Sequence, residues 1–381
     1  MRIGMFINYY IPSKGGMETS VINLTRHEVF IFAPDYPDWE ETDENVYRYK
    51  SFHFTYDDYL YAIPLPQISK MDDVVRSLNL DIIHSHQPFS LGWEATKLGR
   101  RLGLPVVMTY HIRYTDYHHY VILLPKKLSQ KIIRYVVNRN CKKCDAVIAP
   151  SSAIKKLLFD DGIKKSVHVI PSGINIDQFA KSAGSRSEVR SKYGVKDGEV
   201  LFITASRVVP EKNIDFLVRS FAIICKARKD VKLMIVGEGG FRDDLEALGR
   251  ELGVEENIIF TGLLDKDGMI AHYQASDIFA FASLTETQGL VAVEAMAAGL
   301  PVVAVKASGI EDMIKSGQDG ILTDNTEENF AANAIKLIED AGLRKKMSDS
   351  ARANAQNFRI EPWTEKIVAL YESLIRKKKE E

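Results

Sequence analysis

Residues 277–305, DIFAFASLTETQGLVAVEAMAAGLPVVAV, decide the fold of this chain. Asp277 to Ala282 is a short apolar run of strand length, and Pro301 to Val305 is a second one rich in valine. Between them, Ser283 to Gln288 is polar, and Gly289 to Ala298 has the length and composition of a helix. Strand, loop, helix and strand in that order imply a parallel sheet, because a parallel pair needs a long crossover that is usually helical.

The same alternation runs outward in both directions. In the second half, Val200 to Ser206, Lys232 to Gly237 and Ile258 to Gly262 read as strands, with helices over Ile214 to Arg228, Phe241 to Leu252 and Lys266 to Ala275. In the first half, strand-like runs occur at Arg2 to Ile7, Val29 to Ala33, Asp81 to His84, Pro105 to Tyr110, Ala146 to Pro150 and Val167 to Pro171. Helical patterns separate several of them, at Gly16 to Leu24, Ser69 to Leu78, Gly92 to Leu102 and Lys126 to Asn140. The fold class is therefore α/β. With 381 residues the chain exceeds the roughly 250 to 300 that one core usually reaches, so two domains are expected. The polar stretch Asn175 to Glu199 reads as the linker or boundary. The expected division is a Rossmann-like domain over 1–176, a second over 177–361, and a helix from Pro362 whose Ile367, Leu370, Tyr371 and Leu374 return to the first domain. Two such domains facing a central cleft would bind a nucleotide at the carboxyl ends of their strands.

A formal net charge of −1 excludes a chain-wide attraction to nucleic acid. The first apolar run ends by Asn8 with no cleavage site after it, so no signal peptide is expected. The most apolar stretch, Leu290 to Val305, is interrupted by Glu294 and falls short of the roughly 18 uncharged residues of a membrane span. Three cysteines suit a reducing compartment, and Cys141 and Cys144 lack the further ligands of a zinc site. The expectation is a cytoplasmic protein without metal or cofactor.

Chemistry concentrates at strand ends. Glu286 sits in a loop before a helix that starts near Gly289, where exposed N–H groups suit a phosphate and the Glu286 carboxylate can accept hydrogen bonds from sugar hydroxyls. Glu294, about one and a half turns in, reaches toward a ribose; alone, it would also fit a solvated helix face. Arg207 and Lys212 follow a strand in Ala205-Ser-Arg-Val-Val-Pro-Glu-Lys, and fixed cations there would stabilise a departing diphosphate. Gly15 and Gly16 permit a tight turn after the first strand, without the G-x-G-x-x-G of a dinucleotide site. His111 ends a strand, as do His84 and His86, for which cleft-lining or structural roles are favoured over a metal pair. Asp265-Lys-Asp267 opens a helix and reads as a cap.

These segments resemble the retaining GT-B glycosyltransferases of family 4. Glu286 and Glu294 stand seven residues apart within that family's E-x7-E frame, and the segment from Ala205 is similar to its G-R-x-x-x-x-K motif, with Ser206 in place of the usual Gly. Gly15 and Gly16 match its G-G-x-E loop. The resemblance covers nearly the whole chain. It implies that Glu286 meets the donor sugar and Glu294 the ribose, that Arg207 and Lys212 clamp the diphosphate, and that His111 lies beside the transferred sugar. It also assigns Gly237, Leu264, Thr287, Gln288, Gly289 and Leu290 to donor binding, without metal, and implies retention by front-face attack.

For the acceptor, the segment from His118 through Cys144 has no acidic residue. Lys126, Lys127, Lys131 and Arg134 accompany Ile132, Ile133, Tyr135, Val136 and Val137 in an amphipathic pattern that suits an anionic bilayer. A core-packed helix with a solvated basic face would read the same way. Thr285 to Leu290 and Thr109 to Tyr120, including Tyr117, resemble the diacylglycerol glucosyltransferase branch of the family. The expected partners are thus a nucleotide sugar, UDP-glucose first, and a membrane lipid acceptor reached from the inner face of the membrane. Alternatives are a soluble acceptor such as an inositol phosphate or sugar phosphate, GDP-mannose as donor, a UDP-sugar epimerase, and a noncatalytic nucleotide-sugar sensor.

Overall fold

The computed structural model describes residues 1–8, 10, 24, 27–56, 59–65, 68–116, 125–163, 166–180 and 186–381. The chain divides into two compact units, Met1–Gly173 together with Ile360–Glu381, and Ile174–Arg359. The C-terminal helix therefore belongs with the first unit. The breaks fall at 173/174 and 359/360, a few residues before the expected ones.

In the first unit the strands are β1 (Arg2–Phe6), β2 (Glu28–Pro34), β3 (Val46–Tyr49), β4 (Ser51–Tyr56), β5 (Tyr59–Pro64), β6 (Ile82–Ser85), β7 (Val106–Thr109), β8 (Ala146–Ala149) and β9 (Val167–Val169). Seven of them form a sheet in the order β3-β2-β1-β6-β7-β8-β9, and each pair within it is parallel. β4 and β5 make a separate antiparallel pair. β6, β7 and β8 are buried along their whole length, which is what helices on both faces of a parallel sheet demand. One face packs on the helices Leu91–Leu102 and Lys126–Cys141 through Leu91, Ala95, Leu98, Val137 and Cys141. On the other face, Trp363, Ile367, Leu370 and Tyr371 of the Ile360–Glu380 helix cover Ile3, Met5 and Ile82. The spacing of these four side chains put them on one helical stripe, and that stripe is what seals the sheet.

The second unit holds β10 (Val200–Ala205), β11 (Val231–Val236), β12 (Ile258–Gly262), β13 (Ile278–Phe281), β14 (Val302–Val305) and β15 (Gly320–Thr323), in the order β12-β11-β10-β13-β14-β15 and all parallel. The segment expected as a linker is folded into this unit. It carries the helices Asp177–Ala180 and Arg186–Lys192, and buried Arg190 bonds the carbonyls of Ala275, Lys196 and Glu199 as well as Asp277. Most of its described polar residues are exposed, while Arg190 is buried and satisfies backbone oxygens.

In each sheet the strand order reverses once, between β1 and β6 and between β10 and β13. Loops leaving the carboxyl ends of the strands at such a reversal diverge to opposite faces and leave room for a ligand.

Candidate active site

In the second unit the reversal point is occupied by the residues singled out from sequence. β10 ends at Ala205, and the chain continues through Ser206 and Arg207 into a single 3-10 turn, Pro210–Lys212. β13 ends at Phe281 and leads into the loop 283–289. Lys212 Nζ donates to Glu286 Oε1, so the two loops meet across the reversal. Two more contacts hold them together. Asn213 adopts the left-handed conformation at φ 57° and donates from Nδ2 to the Ala282 carbonyl at 3.1 Å. The Thr285 hydroxyl reaches the Glu211 carbonyl at 3.4 Å. The Arg207 guanidinium lies 3.7 Å from the Glu211 carboxylate.

The loop 283–289 is also held from behind. Gly309 donates its N–H to the Glu286 carbonyl at 3.2 Å, and Gly309 packs so closely that a Cβ there would come within 2.1 Å of the Thr287 carbonyl. Thr287 and Gln288 are buried, the latter only 4% exposed. Gly289 takes φ 87°, a left-handed conformation that glycine adopts at little cost, and the Leu290–Ala297 helix starts immediately after it. The Ala292 N–H donates to the Gly289 carbonyl at 3.0 Å and closes the first turn.

Gly237, after β11, has φ 133°, and a Cβ would sit 1.9 Å from the Ser206 carbonyl. It thereby lets the loop after β11 pack directly on the one that carries Arg207. Leu264, after β12, is partly buried against the core beneath the Leu290–Ala297 helix. Asp265 caps the Lys266–Ala275 helix, its Oδ1 accepting from the Gly268 N–H at 2.7 Å.

Glu294 stands apart from the cations. Its Oε2 accepts from the Tyr273 hydroxyl at 3.3 Å, and crowding by the apolar surroundings pushes its carboxyl up to about 7, against the smaller opposing effects of Tyr273 and Lys266. A carboxylate so placed gains from any further hydroxyl that donates to it. Tyr273 was not foreseen from sequence; it sits on a different helix, and only folding brings it to Glu294.

The first unit has its own cluster at its reversal point. His111 Nε2 lies 2.9 Å from His86 Nδ1, and His86 Nε2 lies 3.4 Å from Met5 Sδ. His84 contacts the Tyr371 hydroxyl at 2.6 Å and the Thr109 hydroxyl at 2.7 Å. Burial lowers the pKa of His84 to about 3 and of His111 to about 4, and carries His86 well below its ordinary value, so all three are neutral near pH 7. Gly15, Gly16 and Tyr117, expected in the site, lie outside the described residues.

On the Lys126–Cys141 helix, Val137 and Cys141 are buried in the core while Lys126, Lys127, Lys131 and Arg134 face solvent. Leu128, Ile132 and Tyr135 are 46%, 44% and 63% exposed. At spacings of four and three residues they form an apolar ridge among the cations. Arg134 is shared with Asp161, 3.2 Å away. Among the described residues no helix is long and apolar enough to cross a membrane.

Comparison with known proteins agrees with this geometry. Residues 185–354 match the family "Glycosyl transferases group 1", and residues 14–178 match "Glycosyltransferase Family 4". The alpha-monoglucosyldiacylglycerol synthase of Streptococcus pneumoniae is 34% identical over 340 residues, covering 84% of this chain and 75% of the relative. The enzyme of the same name from Acholeplasma laidlawii is 28% identical over 400 residues, covering 99% and 98%. Among solved structures, HepE from Anabaena in complex with UDP and glucose aligns with a TM-score of 0.79 at 21% identity, over 98% of this chain and 100% of that one.

Proposed function

This chain belongs to the GT-B glycosyltransferases of group 1 and family 4, and on that premise we propose that it transfers glucose from UDP-glucose, with retention, to the hydroxyl of a membrane lipid such as diacylglycerol. The observation that carries the donor half is the meeting of Lys212 and Glu286 across the strand-order reversal of the second unit. One loop supplies a cation for the diphosphate and the other a carboxylate for the sugar hydroxyls. Arg207 adds a second cation, and the N–H groups after Gly289 add fixed dipoles. Glu294 accepts from the ribose hydroxyls. Gly237, Leu264, Thr287, Gln288 and Leu290 complete the donor pocket of the second unit, and the family resemblance gives Gly15, Gly16 and His111 of the first unit roles toward the donor.

In this reading the acceptor oxygen bonds to the anomeric carbon on the face that the diphosphate leaves. The anomeric carbon–oxygen bond to phosphate breaks, and the departing phosphate oxygen takes the acceptor proton. Charge accumulates on that phosphate in the transition state, so Lys212 and Arg207 act where they count most. No protein carboxylate need attack the sugar, which separates this route from that of retaining glycosidases.

The lipid half is supported by the activity for which the two synthases are named and by the exposed ridge of Leu128, Ile132 and Tyr135 among Lys126, Lys127 and Lys131. Each basic residue near an anionic surface contributes about 1 kcal/mol, and the ridge adds buried apolar area. The test is a panel of UDP-glucose, UDP-galactose and GDP-mannose against membrane lipid extract, and against soluble sugar and inositol phosphates, read by mass spectrometry. A glucosylated lipid with the donor's anomeric configuration by NMR is the expected product. Transfer only to soluble acceptors would overturn the lipid reading, and an inverted product the mechanism.

A further inference from the structure

The Lys126–Cys141 helix ends beside a groove that neither the donor site nor the exposed ridge accounts for. The groove measures about 300 Å³ and lies between this helix and the Leu91–Leu102 helix of the same unit. Trp93 and Lys97 line it from one side, and Tyr135, Arg139 and Lys143 from the other. Buried Asn140 also lines it, and Asn140 Oδ1 accepts from the Thr96 hydroxyl at 3.2 Å, which ties the two helices together.

Charge in the groove is one-sided. Lys97, Arg139 and Lys143 bring three cations, and Arg100 adds a fourth close enough to act on Lys143. The Lys143 ammonium is held below its ordinary pKa, first by partial burial and then by repulsion from Arg139, Arg100 and Lys97. No carboxylate among the described residues lines the groove; Glu94 pairs with Lys97 at 3.8 Å but is only 4% exposed. An anion entering there replaces repulsion by attraction, and a phosphate can accept from a guanidinium and an ammonium together.

The flanks decide which anion fits. Trp93 and Tyr135 are 44% and 63% exposed, and such rings favour the headgroup level of a bilayer, with one end apolar and the other wet. Tyr135 is also the last member of the ridge that begins at Leu128, and Arg139, four residues on, continues the same helical stripe. The groove thus stands at the end of the surface proposed to meet lipid. A free phosphate would use the cations and leave both rings in water, whereas a phospholipid headgroup uses both.

We propose that this groove binds the phosphodiester of one anionic phospholipid, at a site separate from the donor pocket. Diacylglycerol, the acceptor in the proposed function, carries no phosphate, so the two lipids are chemically distinct. The inference rests on the proposed encounter with a lipid surface and makes an anionic lipid a ligand of particular residues rather than the source of a diffuse field.

Dihexanoyl phosphatidylglycerol below its micelle concentration tests for a discrete site without a bilayer. The readout is the Trp93 part of the emission, taken as the difference between the wild-type chain and Trp93→Phe, because Trp39 and Trp363 also emit. A saturable shift is expected with phosphatidylglycerol and none at comparable concentration with dihexanoyl phosphatidylcholine, whose choline the cations repel. Arg139→Gln with Lys143→Gln should raise the half-saturating concentration by about tenfold or more, since two cations are lost. Lys126→Gln with Lys127→Gln, on the same helix but outside the groove, should change it by no more than about twofold. A response that does not saturate, that equals the response to phosphatidylcholine, or that is indifferent to Arg139→Gln with Lys143→Gln overturns the proposal. Saturation by inorganic phosphate at concentrations as low as for the lipid also overturns it, because the groove would then serve soluble anions. Glucosyl transfer is measured separately, with diacylglycerol dispersed in neutral detergent, where Arg139→Gln with Lys143→Gln should retain the wild-type rate. Absence of transfer by the wild-type chain would count against the proposed function, while the titration alone decides the headgroup site.

Discussion

Lys212 and Glu286, 74 residues apart in sequence, form an ion pair that ties the turn after β10 to the loop after β13. The pair sits where the strand order of the second sheet reverses, at the place where open parallel sheets admit ligands. In the proposed function its two members take complementary tasks toward a sugar diphosphate, each held in position by the other. Lys212→Ala should reduce kcat by on the order of 10²- to 10³-fold, the usual cost of removing one preorganised charge-stabilising group. Glu286→Gln keeps shape and removes charge, so it should lower kcat more than it raises the KM for the donor. Steady-state kinetics with UDP-glucose check both; a Lys212→Ala enzyme within a few fold of wild type would remove the pair from the reaction.

Glu294 supplies a pH dependence. Its carboxyl is raised to about 7 from an ordinary 4.5 because burial disfavours the charge. Ribose hydroxyls that donate to it favour the ionised form, so nucleotide binding should release a proton. Affinity for UDP is expected to fall by up to tenfold per unit as pH drops below about 7, and to level off above it. The stability dependence has the opposite sense. The folded chain binds the proton more tightly than the unfolded one, so this contribution to the second unit is full below about 4.5 and is lost as pH climbs through about 7. Glu294→Gln should flatten both profiles, measured by calorimetric titration and by thermal unfolding.

Charge removal on the Lys126–Cys141 helix should weaken binding to vesicles containing phosphatidylglycerol. Lys126→Gln, Lys127→Gln and Lys131→Gln together should cost at most about 3 kcal/mol, and Arg134→Gln less than its share because Asp161 already engages it. Ile132→Ser with Tyr135→Ser should weaken binding to neutral vesicles as well. Flotation with and without anionic lipid reads the difference; unchanged binding in all variants would argue for a merely solvated face.

The C-terminal helix is expected to be essential to the first unit alone. Ile367 is 1% exposed against the sheet, and Ile367→Ala should destabilise that unit by roughly 2–5 kcal/mol. Tyr371→Phe removes one buried hydrogen bond to His84 and should cost about 1 kcal/mol. Because the chain has two units, amide exchange resolved by segment is the suitable measurement. Protection should fall in β1, β6 and β7 and remain in β10 to β14.

Much of this was legible in the chain. The valine-rich run at Pro301 to Val305 and its helix are local matters of period and length, and so were the other fully buried strands. The strands β3 and β4 escaped notice because they carry no continuous apolar run; β5, apolar throughout, was passed over all the same. In β4 polar residues alternate with Phe52 and Phe54, which are 59% and 39% exposed. The polar stretch after Asn175 marks the start of the second unit, and its buried Arg190 looks like a surface arginine until its carbonyl partners are known.

The sequence by itself determined the parallel α/β architecture, the two-domain plan and which carboxylates and cations lie at strand ends, since periodicity and loop chemistry are local. Only the tertiary structure decided who meets whom. Lys212 finds Glu286 rather than Glu211, Glu294 turns to Tyr273, and His86 finds Met5 and His111, because sheet order sets neighbours across long spans of chain.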